Sequence, residues 1–356
     1  MIGWLTPAPP SPANSAVAAL AAALCWTVAT LLWRRLPTSW SARQLNLGKT
    51  LLAFLLQLPL LALAPWPPAP GGALWLLALS GVVGIAWGDS LFFSALRRLG
   101  TRRSLTLTAG APALTALGGL VTLGEHPRAS QWLGIGLISL AVVLVARQRP
   151  PDPSGEAGAP GATPWMGLGL ALAAMACGSV GAVLSRLALR SGDVPAVLAA
   201  TVRLGAASLA LTPVWAEIGG LTALRPLSAR PLTAGTLTAR ILTARPFTAR
   251  TFRPERFPPG RRRWGSWRIG QGLTLLVATL LGTSLGIILQ QSALTGLPGG
   301  LAVALLSTSP VMALPLARLE GDRPGAMGLV AALAAVAGVS LVAGWSLPLA
   351  GAWPGD

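Results

Sequence analysis

The chain is 356 residues long, 53% of them hydrophobic and only 10% charged, with a mean hydropathy of +0.64. A soluble domain carries about a quarter charged residues, so a water-soluble enzyme built on one large core is excluded. The formal charge of +17 does not mark a nucleic-acid binder: Glu217 to Trp267 holds 10 Arg against two acids, and the remaining excess is spread over short loops.

Apolar runs of roughly 20 residues recur along the chain, the signature of transmembrane helices. After a Pro-rich tail over 1–14, which lacks the basic start of a signal peptide, the runs predict ten spans. They lie near 15–33, 44–64, 73–95, 103–123, 130–146, 165–187, 194–216, 268–292, 297–317 and 326–345. The expected fold is an all-α integral membrane protein of two five-helix units. The first covers 15–147 and a linker covers 148–164. The second covers 165–345, interrupted by an Arg/Thr/Pro-rich tract over 218–263, and a tail covers 346–356. The tract repeats LSARP, LTAGT, LTARI, LTARP and FTART; a period of five fits neither helix nor strand, so it is expected to be a low-complexity cytoplasmic loop.

The halves repeat one another. Gly84, Gly88, Ala95 and Pro112 recur 198 residues later as Gly282, Gly286, Ala293 and Pro310, while Lys49, Ala53 and Pro59 recur 154 residues later as Arg203, Ala207 and Pro213. The difference of 44 residues requires an insertion of that size between the seventh and eighth spans, where the tract lies. Five spans per unit is odd, so the second unit must enter the bilayer from the opposite side, the inverted-repeat plan of many secondary transporters. Basic residues favour the odd-numbered loops, which places those loops in the cytoplasm and both termini outside.

An ionisable group within hydrocarbon is costly and is a functional candidate by default. Lys49, the only lysine, and its counterpart Arg203 lie inside predicted spans, with snorkelling to the interface as the alternative for each. Asp89 has no acidic counterpart, its equivalent being Ile287. It either pairs with Lys49 as a structural ion pair or takes and releases a proton during transport. Gln57, Gln290, Gln291, Trp26 and Trp87 are candidates to line a substrate or ion pathway, the tryptophans also being common interface anchors. Pro112 and Pro310 are candidate helix breaks at matching depths, where freed carbonyls can face a substrate. Cys25 and Cys177 read as small core residues. Gly282–Gly286 matches the G-x-S-x-G nucleophile elbow around Ser284, but that motif needs a strand–turn–helix setting, and the only histidine, His126, falls in a loop. No enzyme, cofactor or metal site is expected.

With Gly88-Asp89, Ala95-Leu96, Pro112 and Gly124-Glu125 in view, the chain resembles the EamA-type family of the drug/metabolite transporter superfamily. The second copy keeps Ala293-Leu294 and Pro310 and alters the acidic motif to Glu320-Gly321-Asp322. The resemblance implies a ten-helix carrier of small metabolites or drugs in a bacterial plasma membrane, exporting or exchanging its substrate. It also implies cytoplasmic termini, opposite to the charge count. The expected partners are a small-molecule substrate, protons and the lipid bilayer, with no nucleic acid. The alternative is a non-transporting scaffold or sensor that works through the Arg-rich loop.

Overall fold

The computed structural model describes residues 11–34, 41–62, 70–148, 164–190, 194–214, 269–319 and 326–344. The tails, most of the linker and the Arg/Thr/Pro tract lie outside the described residues. Among the described residues every element is helical and there is no strand.

In the first half the helices are α1 (Pro12–Arg34), α2 (Ala42–Ala62), α3 (Gly71–Ser80), α4 (Ser90–Thr108), α5 (Ala111–Leu123) and α6 (Ala129–Gln148). In the second they are α7 (Pro164–Leu189), α8 (Ala196–Ala210), α9 (Ile269–Thr279), α10 (Gly286–Gly296), α11 (Gly299–Leu306), α12 (Ser309–Leu319) and α13 (Ala326–Ala343). Two π-helical stretches, π1 (Gly81–Asp89) and π2 (Leu280–Leu285), join α3 to α4 and α9 to α10. Seven helices are long and apolar enough to cross a membrane, and three shorter apolar ones cover Ala111–Leu123, Ala196–Ala210 and Gly299–Leu314. The chain is a multi-pass integral membrane protein.

Local chemistry sets the helix ends. Pro70, Pro195 and Pro298 immediately precede α3, α8 and α11; their fixed φ suits a helix start, where a missing N–H costs nothing. Gly124 ends α5 in the left-handed region at φ 64°, and the Glu125 amide donates back to the Gly119 carbonyl at 3.2 Å.

The long helix α7 shows how the first half folds back. Positions at Gly84, Gly88 and Leu99 face Gly181, Cys177 and Gly167 in turn, so this stretch runs antiparallel to α7. Gly110, Gly118 and Glu125 then face Met175, Val183 and Arg186, so α5 runs parallel to it. The chain therefore reverses between Leu99 and Gly110. The turn expected over 96–102 falls at this reversal, although its residues are helical and belong to α4. Leu and Arg are good helix formers, and the segment holds no proline and a single glycine, Gly100.

Equivalent helices of the two halves touch. Phe54 and Gln57 of α2 meet Gly205 and Thr201 of α8, and Gly134 and Ile138 of α6 meet Val342 and Gly338 of α13, so both pairs run antiparallel. Small residues allow this closeness, which drives helix association in lipid. A Cβ on Gly81 would fall 2.2 Å from the Arg203 carbonyl oxygen, and one on Gly300 2.3 Å from the Ala116 Cβ. Each of Gly81→Ala and Gly300→Ala is expected to cost about 1–3 kcal/mol by overpacking. Gly136→Ala, where nothing lies within 4 Å, is the neutral control. Thermal unfolding in detergent reads the difference.

Candidate functional site

A π-helical turn widens the backbone and loosens its carbonyl ladder, and such turns cluster at functional sites. Here both are served by amides of one helix. Asn46 donates to the Ile85 carbonyl of π1 at 2.9 Å, and Gln57 donates to the Ser284 carbonyl of π2 at 3.1 Å. Gln57 is fully buried and held in turn by the Thr201 hydroxyl at 2.8 Å. It is thus a bridge between α2, α8 and π2. Ser284 lies within a helical stretch, without the strand–turn–helix setting of a nucleophile elbow.

The two proline-marked breaks also match. α4 ends at Thr108 and α5 begins at Ala111, with Pro112 in its first turn; α11 ends at Leu306 and α12 begins at Ser309, followed by Pro310. The break falls just before each proline. Hydroxyls from equivalent positions on α7 and α1 reach the carbonyls beyond the breaks. Ser179 donates to Ala111 O at 3.3 Å, and Thr27 Oγ1 lies 2.9 Å from Ser309 O. Thr27 and Ser179 stand 152 residues apart, as do Cys25 and Cys177.

Both breaks border a cavity of about 350 Å³ between the halves. Its wall is mostly apolar, with Trp26, Phe92 and Met175 as large groups, Thr108 and Ser307 at the breaks, and Gly84, Gly88 and Gly178 where helices pack closely. Asp89 is the charged residue in the wall among the described residues. Its carboxylate pairs with the Lys49 ammonium at 2.5 Å, the two side chains being 36% and 15% exposed. Lys49 also lies 5.3 Å from the Phe93 ring centroid, a cation–π contact.

Arg203 is buried, its Nη1 donates to Gln290 Oε1 at 3.3 Å, and the charge of Asp89 reaches it. Arg203 is the equivalent of Lys49, but its partner Gln290 is the equivalent of Phe92, three residues beyond Ile287, so the Lys49–Asp89 pair is not repeated in the second half. Gln291 is fully buried with both amide atoms unpartnered. Trp87 is 58% exposed and is not among the residues of this cavity's wall.

A second ionic cluster ties α5, α7, α10 and α11 together. Its cation is Arg186, in the last turn of α7. Its Nε donates to Glu125 Oε1 at 2.7 Å and its Nη1 to the Leu294 and Thr295 carbonyls at 2.9 and 2.7 Å. Glu125 Oε2 accepts from the Gly299 amide at 2.8 Å. The acid thus serves the N-terminus of α11 and the guanidinium the C-terminal carbonyls of α10, each the sign that a helix dipole favours. Between this latch and the cavity lies the largest packed cluster, including Leu77, Ile138, Leu189, Leu294, Leu301 and Leu305. Gly178 and Arg186 are eight residues apart on α7, about 12 Å of helix.

Among the described residues the chain is a helical bundle with seven helices long and apolar enough to cross a membrane and a cavity bordered by both helix breaks. The EamA-like transporter family matches residues 14–147 and 228–344, well over half of the chain, and the protein belongs to that family. The second match begins inside the Arg/Thr/Pro tract and so leaves α7 and α8 outside it. No curated protein matches. A solved structure titled "Crystal structure of protein" is similar at 18% identity and a TM-score of 0.62, over 92% of this chain and 95% of that one; at that identity the likeness is one of fold.

Glu125→Gln leaves the mostly buried Arg186 without its acid, and stability is expected to fall by about 3 kcal/mol. Gln291→Leu removes an unpartnered buried amide and is expected to stabilise by about 1–2 kcal/mol. Denaturant or thermal titration of the purified protein checks both.

Proposed function

We propose that the protein is a secondary transporter that exports or exchanges small metabolites or drugs by alternating access. Its two units, 15–147 and 165–345, form ten crossings in inverted topology, with the three shorter apolar helices counted as spans. The reading is carried by the cavity bounded by both helix breaks. Support for inversion comes from the antiparallel runs of α2 against α8 and α6 against α13. The packed cluster and the Glu125–Arg186 latch close one end, so the cavity is reached from the other. Asp89 is the coupling group: it borders the cavity, its ion pair is partly exposed, and a proton can compete with Lys49 for it. The membrane is a bacterial plasma membrane.

Two measurements test this. In proteoliposomes, Asp89→Asn is expected to abolish stimulation of flux by a proton gradient; unchanged stimulation removes Asp89 from coupling. In a C25A/C177A background, a cysteine at Ser307 is expected to react with an impermeant maleimide from one side of the membrane only. Glu125→Gln is expected to admit reagent from the other side as well. Labelling from both sides before the latch is broken would contradict closure at that end.

A further inference from the structure

Asp89 uses only one of its two oxygens. Oδ2 pairs with the Lys49 ammonium, and no donor reaches Oδ1 among the described residues. An ion pair withdrawn from bulk water is well held only when further hydrogen bonds satisfy the remaining lone pairs of the carboxylate. The Asp89 side chain is 36% exposed and belongs to the cavity wall, so a molecule in the cavity can supply the missing donor. Neither Lys49 nor Arg203 is a wall residue, so the cavity meets the acid and not the cations behind it.

The rest of the wall suits a flat, polarisable body. Trp26 and Phe92 bring rings and Met175 a thioether, and a protonated amine is attracted by ring faces as well as by a carboxylate. Gly178 contributes bare backbone to the wall. Nothing lies within 4 Å of the place a Cβ would take there, so the space beside it is unfilled. At about 350 Å³ the cavity stands at the lower end of the roughly 300–1,000 Å³ typical of small-molecule sites, which suits a compact ligand.

We infer that the cavity binds a small aromatic amine, with Asp89 Oδ1 accepting from its ammonium group and Gly178 leaving room for its ring. This rests on the carrier reading of the same cavity and names its substrate class. The ammonium gives the acid a second cation without displacing Lys49, which keeps Oδ2 and the Phe93 ring, 5.3 Å from its Nζ. A carboxylate ligand is repelled by Asp89, and an alcohol makes the weaker bond of a neutral donor. Gly178 is then a specificity-determining position, since a side chain there takes the space that the ring needs.

The test compares 2-phenylethylamine with three relatives that each change one property. In 2-cyclohexylethylamine the flat ring becomes puckered, 2-phenylethanol removes the charge, and 3-phenylpropanoate reverses it. With the purified full chain, 2-phenylethylamine is expected to raise the unfolding temperature in a saturable way. The cyclohexyl amine is expected to bind about fivefold more weakly, and the alcohol and carboxylate about tenfold or more. Gly178→Leu, and to a smaller degree Gly178→Ala, is expected to weaken amine binding while the ligand-free protein unfolds as the parent does, because a Cβ has room there. Asp89→Asn is expected to erase the preference for the amine over the alcohol, a readout that a purely structural acid would not move. No saturable shift with 2-phenylethylamine, an equal shift with any relative, or parent-like amine binding in Gly178→Leu would overturn the proposal. Proteoliposome flux separates the two readings. Saturable flux of the alcohol or carboxylate without binding of the amine overturns the amine site and leaves the carrier standing, whereas saturable amine binding without flux keeps the site and removes the carrier.

Discussion

Within a bilayer a backbone carbonyl that leaves its helical ladder has no water to turn to, so the protein itself must answer it. This chain interrupts four helices, by π-turns at Gly81–Asp89 and Leu280–Leu285 and by breaks before Pro112 and Pro310. Asn46, Gln57, Ser179 and Thr27 supply the donors. These four polar side chains hold the irregular backbone in place, and that backbone shapes the cavity. Replacing Asn46 or Gln57 by an apolar residue would remove the side-chain donor from a π-turn carbonyl, whereas the Ala111 carbonyl would keep the Thr115 hydroxyl at 2.9 Å.

Satisfaction of backbone groups also explains the division of labour among the charges. Glu125 and Arg186 are spent on helix ends as well as on each other, so they rigidify. Lys49 and Asp89 are spent mainly on each other at a partly exposed position, so they can exchange partners. Arg203 is only half spent.

Much of this was legible in the residues. Prolines at matching positions in two copies announced both helix breaks, because proline removes a donor that no neighbouring residue can replace. Asp89 and Lys49 announced themselves as rare charges in apolar runs, and the structure brings them together. The helical backbone of the reversal inside 90–108 was not legible, although its turn was, because a helical corner without proline has no composition of its own. Neither was the latch: Glu125 and Arg186 are 61 positions apart, and each reads alone as an ordinary residue near a membrane surface. The unpaired Nε of Arg203 was invisible for a deeper reason, since a missing partner is a property of packing.

The repeat is imperfect at one place that matters. Trp26 on α1 occupies the position that Gly178 holds on α7, and its indole lies against Gly286 where Cys177, one residue before Gly178, lies against Gly88. An indole buries on the order of 200 Å² that a hydrogen atom cannot. The two halves are therefore not interchangeable at this contact: α1 fills with an indole the space that α7 leaves to a glycine, so the junction is asymmetric in volume and in chemistry.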